Sequence, residues 1–384
     1  MFLNRPTMRE QNENLIIEYI ANHKPSSRME ISDKIGLNKA SVSEIVKNLL
    51  NRHFIEEIGS GESTVQGGRR PIMLQLNKKA GFVLSIDLGY NYIDILGCYL
   101  NGESWERKLY PFLDISRSSI VSDLKSIITD FMKHAPETVY GLTGITVAIH
   151  GMVFENAIYF TPYYDLQDLP IAEALSEHFD VPVFLENEAN LLALADHACT
   201  DTLHNIISIS VHSGVGAGII LDDQLYRGEK GLSGEIGHMV VVPNGLGCPC
   251  GNHGCLEQYC SEKVLLDHYR HRTGNVEAII PDICHAYHNG EQPAVQLIHE
   301  MIQYMAIAMN NIAMLYNPET IFINSEVSRL IPSFADKIQQ QLSSFIADKV
   351  KVRQSILGEK AILFGGAALA TMNFLNISRM RLEP

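Results

Sequence analysis

The sequence predicts an α/β body behind a small, mostly helical head, and three observations predict it. Over the first 77 residues, apolar residues recur three times at helical spacing and then appear in two short strand-like runs. From residue 78 onward, Val- and Ile-rich runs alternate with longer stretches of helical period. Glycine-marked turns separate the two kinds of segment, such as "DLG" at 87–89 and "HSGVGAG" at 212–218.

A chain of 384 residues has room for two or three domains of about 100–200 residues each. Its 46% hydrophobic content suits a sizeable core. No apolar run reaches the roughly 18 residues that cross a bilayer, and "MFLNRPTMREQNENL" lacks the basic-then-apolar layout of a leader. A cytoplasmic protein with no membrane partner is expected. In a reducing compartment, crowded cysteines point to a metal or a reactive thiol before a disulfide. The net charge of −14 is uneven: residues 1–80 carry twelve Lys/Arg against nine Asp/Glu, a balance of +3, and the remainder stands at −17. The acidic body disfavours nucleic acid over most of its surface, while the head can meet phosphates.

In the head, "NENLIIEYIANH" places Leu15, Ile16, Tyr19 and Ile20 on one helical stripe. Ser27 and Glu30 are spaced as a capping box, which starts a second helix with Ile31 and Ile35 inside and Gly36 ending it. Asn38 caps a third helix whose inner face is Val42, Ile45, Val46 and Leu49. Two short helices across a tight glycine turn make a helix-turn-helix. The second of the pair would enter a DNA major groove, with Lys39, Ser41, Ser43, Glu44, Lys47 and Asn48 on its outward side. "FIEEIGSGESTVQGGRRPIMLQLN" then reads as strand, glycine-rich loop, strand, a wing. Its apolar positions are Phe54, Ile55 and Ile58, then Ile72, Leu74 and Leu76. Arg69 and Arg70 beside its loop suit a minor groove or phosphates. Residues 1–77 are therefore expected to form a winged helix-turn-helix that binds DNA.

In the body, "GFVLSIDLGYNYIDILGCYL" is strand-rich and "YGLTGITVAIHGMV" runs from strand into a glycine turn. "VPVFLENEANLLALADHA" gives a strand, a polar corner, and a helix from about Ala189. "SIVSDLKSIITDFMKH" and the methionine-rich "AVQLIHEMIQYMAIAMNNIAMLY" are helical, the latter expected in the core. "AILFGGAALATMNFL" reads as strand, glycine turn, helix. No short repeat is visible.

"GCPCGNHGCLEQYC" at 247–260 holds four of the seven cysteines. Cys248, Cys250 and Cys255 form C-x-C-x4-C on a glycine-rich knuckle, which lets the backbone fold tightly enough for thiolates to converge. Zn²⁺ takes four tetrahedral N/S ligands. His238, ten residues upstream, is one candidate for the fourth; His253 and Cys260 compete locally. A site closed by four protein ligands is structural, since no position remains for water. Glu235 lies three residues before His238 and Glu257 two after Cys255, so one metal would gather both carboxylates. Paired carboxylates serve acid–base chemistry or accept hydrogen bonds from the vicinal hydroxyls of a sugar. Asn187 and Glu188 stand at a strand end, where α/β sheets bind ligands.

These motifs resemble the ROK family of bacterial sugar repressors and sugar kinases. "GLSGEIGHMVV" followed by "GCPCGNHGCLEQYCS" is similar to both halves of its signature, and "FLENEAN", "LYRG" and "GGRRPIMLQLNKKAGF" to its xylose-repressor branch. The resemblance spans essentially the whole chain. It implies an actin-like, ribonuclease-H-like two-lobed body: a small lobe at 78–186 plus 363–384, and a large lobe at 187–362 with the zinc site and sugar cleft. It implies zinc on His238, Cys248, Cys250 and Cys255. It implies a monosaccharide effector, pentose or hexose, lined by Asn187, Glu188, Glu235, His238 and Glu257, in a homodimer or tetramer.

Kinase members of the family carry D-x-G-x-T; here Asp87 and Gly89 are followed by Tyr90 and Asn91 with no threonine. Glu188 stands where the kinases have their catalytic aspartate, one methylene longer, and a misplacement of ~1 Å can cost ~100-fold. The adenosine-accepting glycine pair is replaced by Asn324, Ser325 and Glu326. Gly214, Gly216 and Gly218 keep the second glycine turn, and no Walker A lysine motif is present. The sequence thus predicts a sugar-released repressor without enzymatic activity or bound ATP. The alternative is an ATP-dependent sugar kinase with an appended DNA-binding head.

Overall fold

The computed structural model of the chain describes residues 8–61, 70–162, 164–200 and 202–384. It divides into two compact units, Met1–Glu186 with Gly366–Pro384, and Asn187–Gly365.

The first unit opens with α1 (Met8–Asn22), β1 (Ser26–Ser27), α2 (Arg28–Ile35), α3 (Lys39–Asn51), β2 (Ile55–Ser60) and β3 (Ile72–Leu76). Local chemistry sets these boundaries. Ser27 and Glu30 close a reciprocal capping box at the start of α2. Gly36 ends it at φ +76°, in the left-handed region. Asn38 Oδ1 accepts from the Ser41 N–H at the start of α3. Val42, Ile45, Val46 and Leu49 are buried along α3. The stripe of α1 is turned from the expected one: Ile16, Ile17 and Ile20 are buried, while Leu15 is 51% exposed. One residue shifts a helical position by about 100°, so the run of three apolar residues, Leu15 to Ile17, does not say which edge faces inward. Ile35 is half-buried and Ile58 exposed. The strands form an antiparallel sheet of order β1-β3-β2. Phe54 stacks on Tyr140 and meets Phe374 edge-on, and the Tyr140 hydroxyl donates to the Arg52 carbonyl at 2.9 Å.

The unit continues through β4 (Phe82–Leu88), β5 (Tyr92–Tyr99), β6 (Ser104–Pro111), α4 (Ile120–Phe131), β7 (Leu142–Ile149), β8 (Met152–Phe154), β9 (Ala157–Phe160), α5 (Ile171–Phe179) and β10 (Val183–Asn187). Its five-stranded sheet has the order β10-β7-β4-β5-β6. β4, β5 and β6 are an antiparallel meander, and β7 lies parallel to β4. β4 is buried along its whole length, as expected of a strand covered on both faces.

The second unit holds α6 (Glu188–Ala198), β11 (Ile206–Val211), β12 (Val215–Leu221), β13 (Gln224–Leu225), α7 (Glu257–Cys260), α8 (Glu262–Thr273), α9 (Ile280–His288), α10 (Gln292–Tyr316), β14 (Thr320–Asn324), α11 (Glu326–Leu330), α12 (Phe334–Gln339), β15 (Lys351–Gln354) and the start of α13 (Ala361–Leu375). Its sheet has the order β13-β12-β11-β14-β15, again a meander followed by parallel strands. The same topology therefore occurs twice. The segment "AILFGGAALATMNFL", expected to begin as a strand, is helical throughout as α13. It is buried almost all round, so no amphipathic period marks it, and periodicity alone does not tell a buried strand from a buried helix.

α6 presses on β11 and β12 because Gly218 leaves room: a Cβ there would lie 2.2 Å from the Ala189 carbonyl oxygen. The α6 side chain of Asp196 is wholly buried and accepts hydrogen bonds from Ser208 Oγ at 2.8 Å and Ser355 Oγ at 2.7 Å. Burial pushes its carboxyl up to about 6, with the two serines and the Ile356 N–H opposing. Among the described residues, no helix is long and apolar enough to cross a membrane.

Candidate metal centre and the carboxylates beside it

The loop from Gly247 to Cys255 folds back on itself. The Cys248 N–H donates to the Asn252 carbonyl at 2.9 Å, and the Gly251 N–H returns to the Cys248 carbonyl at 3.0 Å. Gly254 sits at φ +86°, and a Cβ on it would lie 1.7 Å from the Val242 carbonyl oxygen, so only glycine lets this loop lie against the preceding one. Val240 bridges to Cys255, which brings the upstream segment holding His238 alongside.

His238, Cys248, Cys250 and Cys255 converge here, with one ligand atom from each lying within 4.8 Å of all the others. Cys250 Sγ stands 3.7 Å from Cys255 Sγ, and His238 Nδ1 stands 3.5 Å from Cys248 Sγ. Ligands about 2.0–2.3 Å from a tetrahedral centre stand roughly 3.5–3.8 Å apart, so these spacings fit a four-coordinate ion of the zinc kind. One imidazole and three thiols are also the donors such an ion prefers. The competitors for the fourth place lie elsewhere: Cys260 is buried against the Met301 carbonyl, and His253 is exposed outside the group. Burial pushes the Cys248 thiol up to about 12 and raises Cys255. Cys250, on the exposed edge, is lowered by the backbone N–H of Asn252. A metal must therefore displace protons to bind.

The expected carboxylates gather around this group. His238 Nε2 lies 3.8 Å from Glu235 Oε2, and His238 Nδ1 lies 3.5 Å from Glu257 Oε1. Glu257 also accepts from the Cys248 thiol at 3.2 Å, at the start of α7. With Nδ1 on a metal, the other ring nitrogen keeps its proton and points it at Glu235, the usual support for a ligating imidazole. The protein around the Glu235 carboxyl raises it above the ordinary carboxylate range; His238 opposes, and the charges of Glu257 and Glu188 add to the rise. Glu235 still keeps 38% of its side chain accessible.

Glu188 opens α6, and its Oε2 accepts from Ser210 Oγ at 2.9 Å. Asn187 behaves differently from its neighbours in the expected set. Its Oδ1 caps α6, accepting from the Ala189 and Asn190 N–H groups at 2.9 and 3.2 Å, a structural duty the sequence reading did not assign. The signal was present, since Asn before an apolar helical run is an N-cap pattern.

Of the candidate nucleic-acid contacts, Lys39, Ser43, Glu44 and Lys47 are exposed on α3, with Ser41 and Asn48 half-buried. Ser43 Oγ donates to the Lys39 carbonyl at 2.8 Å, and Glu44 pairs with Arg9 at 3.1 Å. Arg70 is exposed, while Arg69 lies outside the described residues.

The residues compared above with kinase members of the family have partners within the chain. Asp87 contacts His150 Nε2 at 2.8 Å and accepts from the Tyr92 hydroxyl at 2.9 Å. Asn324 accepts from Arg329 at 3.0 Å, and Ser325 caps α11.

The model of the ROK family matches residues 83–373. The xylose repressor of Bacillus spizizenii is 34% identical over 381 residues, spanning 97% of this chain and 98% of that protein. A crystal structure of a ROK family transcriptional regulator, a homologue of the Escherichia coli MLC protein, superposes with a TM-score of 0.82 at 28% identity, covering 96% of this chain and 97% of that one. A ROK family glucokinase from Streptomyces griseus, solved with glucose and AMPPNP, superposes with a TM-score of 0.65 at 23% identity. It covers 75% of this chain and 99% of that one, a likeness of fold.

Proposed function

Because this chain belongs to the ROK family, we propose that it is a sugar-responsive DNA-binding repressor of carbohydrate-utilisation genes, released from its operator by a monosaccharide. One observation carries the reading: the similarity to a xylose repressor runs through the head as well as the body. A kinase needs no such head, and the glucokinase covers 75% of the chain.

In this reading residues 1–77 are the winged helix-turn-helix, residues 78–186 with 363–384 the small lobe, and residues 187–362 the large lobe. Lys39, Ser41, Ser43, Glu44 and Lys47 face the major groove, and Arg69 and Arg70 follow the backbone or minor groove. His238, Cys248, Cys250 and Cys255 hold a structural Zn²⁺, which supplies a rigid tie between two loops and no chemistry of its own. The tie holds Glu235 and Glu257 against His238, where carboxylates and imidazole accept and donate hydrogen bonds to a pentose or hexose, with Glu188 and Asn187 completing the set. The protein works in the cytoplasm as a homodimer or tetramer, so that two heads read two half-sites.

Repression and release follow from linkage. A sugar that binds better to the form with low DNA affinity must itself be bound less tightly on DNA, by the same factor. A 100-fold effect requires about 2.7 kcal/mol of differential affinity. No step needs ATP.

Calorimetric titration with a panel of pentoses and hexoses, repeated in the presence of operator DNA, tests the reading. One sugar should bind, and its affinity should fall when DNA is present. Turnover of ATP and Mg²⁺ with any sugar, lost on Glu188→Ala, would replace the repressor reading with the kinase one. Silence across the sugar panel would leave DNA binding without this effector.

A further inference from the structure

All seven cysteines lie among the described residues, and none is paired. Cys98, Cys248, Cys255, Cys260 and Cys284 are buried and Cys199 is half-buried, which leaves Cys250 as the one exposed thiol. Its neighbours on the knuckle, Pro249, Gly251, Asn252 and His253, are exposed as well, so a small solute can reach the sulfur from solvent. Cys250 also has a second sulfur at hand, since Cys255 Sγ stands 3.7 Å away. Cys248 is engaged elsewhere, buried with its thiol on Glu257 Oε1 at 3.2 Å.

The two residues are held very differently. Cys255 is pinned on both sides: the Gly254 N–H donates to the Leu246 carbonyl at 2.7 Å, and the Leu256 N–H donates to the Met239 carbonyl at 2.9 Å. Beside Cys250 there is open space, since a Cβ on Gly251 would meet nothing within 4 Å. A sulfur–sulfur bond is about 2.05 Å long, so Cys250 Sγ must approach by about 1.7 Å, and it can do so from the open side while Cys255 stays in place. One thiol is thus placed to meet an oxidant and the other to resolve the product.

We propose that Cys250 is a site of oxidation by hydroperoxides, which joins it to Cys255 and opens the metal centre. The opening rests on the metal of the reading above; the disulfide does not. In the first step the Cys250 sulfur attacks the terminal oxygen of the hydroperoxide. The O–O bond breaks, the leaving oxygen takes a proton and departs as water or an alcohol, and Cys250 becomes a sulfenic acid. The Cys255 sulfur then attacks the Cys250 sulfur, the S–O bond breaks, and the hydroxide leaves with a proton as water. Two thiols give up two electrons, and one hydroperoxide takes both. Only His238 and Cys248 then remain as donors, too few to close a four-coordinate site. The tie between the two loops goes with the ion, and Glu235 and Glu257 lose the fixed imidazole that stands 3.8 and 3.5 Å from them. The carboxylates would thus answer to oxidant as well as to sugar, and a thiol reductant resets them.

The test treats the full chain, loaded with Zn²⁺, with hydrogen peroxide at about tenfold excess. The intact mass should fall by about 2 Da, a peptide digest should show Cys250 linked to Cys255, and a chromophoric chelator should report about one ion released per chain. Dithiothreitol with added Zn²⁺ should restore the starting state. Cys250→His keeps a donor for the ion and removes the exposed thiol, so its ion should leave at least about tenfold more slowly. Cys199→Ser should oxidise as the wild type does. A gain of oxygen on Cys250 without a link, a link between another pair, or release from Cys250→His at the wild-type rate overturns the proposal. Should Cys250→His fail to hold the ion, metal-free wild type and Cys250→Ser are compared by mass; the wild type should lose about 2 Da, and an equal loss in Cys250→Ser overturns the proposal. The two readings fail separately. A chain that takes up no Zn²⁺ yet forms the link supports the oxidation and overturns only the metal, while a loaded chain that resists peroxide overturns the oxidation and leaves the metal standing.

Discussion

His238 faces Glu235 through Nε2 at 3.8 Å, while its Nδ1 stands 3.5 Å from Cys248 Sγ in the cluster of three thiols. One imidazole can therefore serve two purposes, offering one nitrogen to a metal while the other lies beside a carboxylate. The two can be separated by mutation. Cys250→Ser keeps the shape but replaces a soft ligand, and metal content should fall from one per chain to below about 0.1, with a lower thermal midpoint. Glu235→Gln should keep the metal and weaken effector binding at least tenfold. His238→Ala should lose both. Elemental analysis beside calorimetry reads all three, and a Cys250→Ser protein with full metal content refutes the centre.

Metal retention should depend on pH in a definite direction. Burial holds the Cys248 thiol at about 12 and raises Cys255, so near neutrality the metal-free protein keeps protons on both. Binding releases those protons, and acid opposes binding. Apparent affinity should fall about tenfold per pH unit for each proton displaced as the pH is lowered. Competition with a chromophoric chelator measures it; a flat profile would mean the thiols do not ligate.

Asp196 gives a second pH dependence, of opposite sense to that of a salt-bridged carboxylate. Its folded value of about 6 lies above the ordinary 3.8, because burial disfavours the charge. Between about pH 4 and 6 the folded chain holds a proton that the unfolded chain has lost. Stability from this group is therefore present below pH 4, falls as pH rises to about 6, and is level above. The total is on the order of 3 kcal/mol. Asp196→Asn should flatten that slope in urea titrations, since each serine hydroxyl can donate to the amide oxygen or accept from its nitrogen. A slope that persists assigns the effect to another group.

On the head, Ser43 is exposed on α3 with its hydroxyl turned to the Lys39 carbonyl, so its side chain supports no tertiary contact in the head core. Ser43→Asp should leave the melting temperature within about 2 °C and weaken operator binding at least tenfold through repulsion by phosphates. Gel shifts at wild-type affinity would remove α3 from the groove.

The sequence by itself determined what local chemistry can specify. Ser27 with Glu30, Gly36 and Asn38 mark the helix-turn-helix because capping acts within about four residues. The triad Cys248, Cys250 and Cys255 was legible because its ligands sit on a single knuckle. Tertiary structure decided the rest. It took His238 over His253 and Cys260, because a bridge from Val240 to Cys255 brings the upstream segment across. It made α13 a helix and turned α1 inward on Ile17, because packing chooses among apolar faces that periodicity leaves equal. It also placed one strand order in both units, where the residues show no repeat, because a topology is kept by which strands pair and not by which apolar side chains fill it.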